Sequence, residues 1–140
     1  MRSSRAFRRA MAAAAFSATF AAPLLAAPAR RNGALGATMD CRSEPGSGRL
    51  VCTIELVPPA GHRLTWSDAL VVASPPAATP LRSRVRGSGT PPQRILLGFA
   101  LGQGAGGRIE VLARAVACAA KPSDACSTLA KSLAFEVEGR

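Results

Sequence analysis

From Arg49 to Val57 apolar and polar side chains alternate, with Leu50, Cys52, Ile54 and Leu56 on one side and Val51, Thr53 and Glu55 between them. A period of two predicts a half-buried β-strand, because successive side chains of an extended chain point to opposite faces. Pro58-Pro59-Ala60-Gly61 ends that strand. A short run at 62–66 and an apolar stretch at Leu70, Val71 and Val72 follow, closed by Pro75-Pro76. Over 81–86 the alternation is sharp, with Leu81, Ser83 and Val85 on one face and Arg82, Arg84 and Arg86 on the other. Such a strand is expected to have one wet face, and as an edge strand its charges would oppose sheet-to-sheet aggregation. Gly87-Ser88-Gly89 and Pro91-Pro92 lead into 93–101, where Ile95, Leu97, Phe99 and Leu101 share a face, and two last strands are expected near 108–118 and 128–138. No segment shows a 3.6-residue period or a heptad repeat. Seven or eight short strands with turn signals every eight to twelve residues predict an all-β, immunoglobulin-like antiparallel β-sandwich.

The first residues break this pattern. Arg2, Arg5, Arg8 and Arg9 form a basic cluster, an uncharged stretch runs from 10 to 25, and Ala27-Pro28-Ala29 supplies small residues. This is the layout of a secretory signal peptide. Cleavage is expected after Ala29, since cutting after Ala27 would put Pro28 just past the scissile bond. The organisation expected is therefore a signal peptide over 1–29 and a single β-sandwich domain over 30–140, periplasmic or secreted. The apolar stretch is shorter than the roughly 20 residues that span a bilayer and contains Pro23, which argues against a retained anchor, and no second long apolar segment follows, so no stable membrane insertion is expected after cleavage.

Composition narrows the partners. The chain of 140 residues carries 18 Lys plus Arg against 8 Asp plus Glu. Losing Arg2, Arg5, Arg8 and Arg9 with the leader still leaves the domain basic, a charge that suits anionic lipids, polyanions or acidic partners, but the stronger reading is compositional: a chain rich in Ala, Gly, Pro and Arg carries it without selection for binding. Readout of single-stranded nucleic acid adds stacking aromatics to such a charge. Beyond the leader the aromatics are only Trp66, Phe99 and Phe135, so no nucleic-acid partner is expected. Trp66 reads as the core aromatic of the sandwich.

Four cysteines in an exported chain point to disulfides, and four allow three pairings. Hairpin geometry selects among them. With Pro45-Gly46-Ser47-Gly48 as the loop, Glu44 faces Arg49 and Cys41 falls opposite Cys52. A loop centred on Pro122 puts Cys118 opposite Cys126, Ala115 opposite Leu129, Val111 opposite Leu133 and Ile109 opposite Phe135. That register also gathers the apolar residues of both strands on one face. Opposed residues at a non-hydrogen-bonded site lie about 4.5 Å apart at Cα, within disulfide reach. The expected pairs are Cys41 with Cys52 and Cys118 with Cys126. No metal site is expected, because the pairs lack Cys-x-x-Cys spacing and His62 is the only histidine. No cofactor is expected either. Gly102-Gln103-Gly104-Ala105-Gly106-Gly107 matches G-x-G-x-x-G, but a strand rather than a helix follows, so it reads as a flexible hairpin loop. No Ser-His-Asp context or clustered carboxylate pair is visible for hydrolysis.

Pro59-Ala60-Gly61-His62-Arg63-Leu64-Thr65-Trp66, the apolar strand before Pro75-Pro76, and the strand 108–116 leading into Cys118, Cys126 and a closing apolar strand resemble a known family. It is the N-terminal periplasmic domain of bacterial membrane thiol:disulfide interchange reductases, and the resemblance covers most of 50–138. It implies an immunoglobulin-like sandwich in which a hairpin cysteine pair, here Cys118 and Cys126, relays electrons to periplasmic thiol proteins. Ser127-Thr128-Leu129 stands where that family tends to carry Tyr-Pro-Pro, and Cys41 and Cys52 have no counterpart in it. Two functions follow. The leading one is a non-catalytic binding or accessory module of the cell envelope with an envelope protein as partner. The alternative is a thiol:disulfide exchange module using Cys118 and Cys126.

Overall fold

The computed structural model describes residues 33–87, 93–121 and 125–140, so the expected signal peptide lies outside the described residues. Eight strands follow one another: β1 Gly36–Glu44, β2 Arg49–Val57, β3 His62–Ala73, β4 Ala78–Pro80, β5 Arg84–Arg86, β6 Gln93–Leu101, β7 Gly107–Ala119 and β8 Cys126–Val137. They form two antiparallel four-stranded sheets, ordered β1-β2-β6-β4 and β5-β3-β7-β8. The described residues contain no helix. This is the immunoglobulin-like sandwich that the period-two pattern predicts, with β2 and β6 central in one sheet and β3 and β7 central in the other.

The turn between β1 and β2 shows how local sequence sets register. Gly46 and Gly48 adopt φ of 75° and 63°, a left-handed region that side chains other than glycine avoid. Ser47 donates from its hydroxyl to the Glu44 carbonyl at 3.1 Å and accepts from the Arg49 amide at 3.2 Å, holding Glu44 opposite Arg49. From there the ladder runs without a break to Gly36 opposite Val57.

The core fills the space between the sheets. Leu50, Cys52, Ile54 and Leu56 of β2 and Ile95, Leu97 and Phe99 of β6 are buried on one side. On the other, β3 gives Ala69 and β7 gives Ile109, Val111, Ala113, Ala115 and Ala117. Three successive inward alanines, Ala113, Ala115 and Ala117, make the C-terminal half of β7 thin, and most of the bulk there comes from the first sheet. Phe99, fully buried, is the core aromatic. The Ser67 hydroxyl donates to Gln93 Oε1 and ties the two sheets together from within.

Three expectations are corrected. The runs 62–66 and 70–72 belong to one strand, β3, which carries register shifts between Leu64 and Trp66 and between Val71 and Ala73. The alternating segment 81–86 is a strand only over Arg84–Arg86, because the chain first crosses to the first sheet as β4 and then returns to the second as β5. The glycine loop between β6 and β7 is pinned rather than free. Gly104 and Arg140 exchange backbone hydrogen bonds at 3.1 and 3.2 Å, and Ala77 donates to Ala105 at 3.2 Å.

Candidate functional site

The outer face of the second sheet carries most of the chemistry. The register shift at Thr65 is a bulge, and an extra residue in one strand reverses which face the following side chains take. Leu64 therefore lies inside, opposite Ala117, while Trp66 pairs with Val116 on the outer face. Trp66 is half-buried there, with the Arg114 guanidinium carbon 5.8 Å from its ring centroid. The expectation of Trp66 as the core aromatic is thus overturned: Ser67 and Ala69 take the inward positions, and the small inner face of β3 has no place for an indole.

Two residues on, Asp68 sits opposite Arg114 of β7 and Arg86 of β5. It is completely shut from solvent although it belongs to the outer face. Arginines cover it. Arg114 grips it with a fork, Nε donating to Oδ1 at 2.9 Å and a terminal nitrogen to Oδ2 at 2.5 Å, and Arg84 Nε donates to Oδ2 at 2.6 Å. The Arg114 guanidinium holds the Asp68 carboxyl below the usual carboxylate range; burial opposes this and Arg84 reinforces it. Asp68 in turn raises the pKa of Arg114. Planar bidentate pairing of this kind is among the stronger charge-assisted contacts.

This triad changes the reading of the arginine strand. Arg84 is paired to a buried carboxylate and is only half exposed, so the Arg82, Arg84 and Arg86 positions are not one uniform solvated face. Asp68 escaped the sequence reading. Its signal was present: an aspartate inside the β3 segment, within reach of a strand with arginine at every second position.

The cysteines fall on two different surfaces. Cys41 and Cys52 are opposed across β1 and β2 and bonded, with Cys52 fully buried among the core residues. Cys118 and Cys126 are opposed across β7 and β8 and bonded, on the same outer face as Trp66 and Arg114. Cys118 is 5% exposed, whereas Cys126 is open to solvent. The Thr65 hydroxyl lies 3.7 Å from Cys118 Sγ and 3.3 Å from the Val116 carbonyl, and Arg63 is the cross-strand partner of Cys118. The His62 Nδ1 lies 3.0 Å from the Ala60 carbonyl. Among the described residues, no three His, Cys, Asp or Glu side chains converge in a way that would hold a metal ion. The second disulfide, Thr65, Trp66 and the Asp68 triad therefore share one face, while the first disulfide is part of the interior.

Comparison of the chain with protein-family models, with curated proteins and with solved structures found no match.

Proposed function

We propose that this chain is an exported, non-catalytic binding or accessory module of the cell envelope, periplasmic or secreted, whose disulfides serve stability and whose partner is another envelope protein. The supporting observation is the setting of the sulfurs: each bond joins directly opposed residues of neighbouring strands, with Cys52 fully buried and Cys118 nearly so. A bond that closes a hairpin of separation 11 or 8 contributes about 2 to 3 kcal/mol by restricting the unfolded chain. That suits a small domain with a modest core. The test is the equilibrium potential of the Cys118–Cys126 bond against a glutathione or dithiothreitol series. A structural bond lies below about −300 mV, whereas an exchanging one lies at about −120 to −270 mV.

One observation favours the exchange alternative, which is also what the resemblance to thiol:disulfide interchange reductases implies. A donor thiolate attacking the exposed Cys126 sulfur would form a mixed disulfide and release Cys118 as thiolate, beside the Thr65 hydroxyl at 3.7 Å. A second donor thiol would then displace Cys126, leaving the donor oxidised by two electrons and this pair as a dithiol. Thr65→Val should slow reduction of the Cys118–Cys126 bond by a donor thiol under this alternative and leave that rate unchanged under the structural one.

A further inference from the structure

Between the segment 81–86 and β6 lie two adjoining hollows of about 320 and 210 Å³, which share Leu96 and Val85. The floor is apolar. Leu96 is 60% and Leu81 53% exposed, an unusual outlay of aliphatic surface for a small domain. Leu81 is also held in place. Its amide donates to the Gly98 carbonyl at 2.9 Å, and its Cδ1 lies where a side chain at Gly98 would begin, 2.9 Å from that Cβ position. The walls are arginine. Arg94 is engaged by Glu55 at 2.9 Å, but Arg82 and Arg86 have no carboxylate partner among the described residues. A hollow of about 560 Å³ over β1 and β2 differs in this respect, because its Arg42 and Arg94 are neutralised by Asp40 and Glu55.

We propose that this groove binds an extended acidic segment of a protein partner, with an aliphatic side chain seated on Leu81 and Leu96 and carboxylates engaging Arg82 and Arg86. The proposal rests on the reading of the chain as a binding module and names the class of partner. Two unpaired guanidiniums flanking an apolar floor match a carboxylate-bearing chain, since a guanidinium fork fits a carboxylate in its plane and loses least when its partner is charged. A concave floor with charged walls suits a chain laid into it better than a flat lipid surface.

The test uses isotope-labelled exported protein and heteronuclear NMR titration with a short synthetic peptide alternating glutamate and leucine, the same peptide with glutamine for glutamate, and vesicles of phosphatidylglycerol. The expected result is shift changes confined to Leu81, Val85, Arg86 and Leu96 with the glutamate peptide, and binding weakened about tenfold by R82E/R86E and by Leu96→Ser. Both variants alter surface side chains outside the Asp68 triad, and an unchanged spectrum elsewhere verifies their fold. Absence of peptide shifts, equal binding of the glutamine peptide, or R82E/R86E binding as wild type overturns the proposal. Vesicle binding lost in R82E/R86E without peptide binding also overturns it, in favour of a lipid surface. Peptide shifts at another face reject this groove but leave the binding-module reading standing. That reading fails separately, on the potential of the Cys118–Cys126 bond.

Discussion

Replacing Asp68 by Asn keeps the side-chain shape and removes the negative charge that Arg84 and Arg114 share. The carboxylate is fully buried, while the Arg114 and Arg84 side chains are 32% and 52% exposed. Removing one member of a buried ion pair costs about 3 to 5 kcal/mol when the charge left behind stays buried. Here the two guanidiniums left behind can turn toward water, so screening and rehydration cut that figure. We expect a loss of about 2 kcal/mol at neutral pH, or roughly 10 °C in Tm for a domain of this size. Because the folded-state pKa of Asp68 lies below its unfolded value of about 3.9, its contribution is fully present above that value and disappears as pH falls through the lower, folded one. The gap between wild type and D68N should thus be constant from neutral pH down to about 5 and close below about 4. Urea unfolding followed by fluorescence is a direct assay, since Trp66 is the only tryptophan and Arg114 lies over its ring. A D68N variant within about 0.5 kcal/mol of wild type at neutral pH, or a gap that persists unchanged into acid, would refute the account of Asp68 as a buried charge anchoring two strands.

Arg84→Ser should cost about 1 to 2 kcal/mol, whereas Arg82→Ser and Arg86→Ser should each stay within about 0.5 kcal/mol, measured by the same unfolding curves. In a graded thiol titration read by differential alkylation and peptide mass, Cys118–Cys126 should open before Cys41–Cys52, because Cys126 meets solvent and Cys52 does not. Intact mass of exported material should place the new N-terminus at Arg30, and recovery of the full-length chain in the membrane fraction would refute the signal assignment.

Much of the frame was legible because it is local. A strand with unbroken alternation announces its own faces, and β2 and β6 occupy the segments at which their alternation begins and ends. A hairpin converts loop length into register, so both cysteine pairs and the matching of Ile109, Val111 and Ala115 with Phe135, Leu133 and Leu129 follow from counting outward from a turn. Side-chain chemistry at the outer face was less legible. Trp66 lies two positions from Leu64, which puts the pair on one face of any regular strand, and only the bulge at Thr65 separates them.

By itself, then, the sequence determined the all-β sandwich, the strands β2 and β6 and the two disulfides, since these depend on periodicity and on residues close together along the chain. Tertiary structure decided the rest: which face Trp66 takes, the crossing of β4 and β5 between sheets, and the burial of Asp68. The physical reason lies in distance along the chain. Asp68 is buried by Arg84 and Arg114, which come from two other strands, and a charge on an outer sheet face is hidden only when long side chains from neighbouring strands close over it.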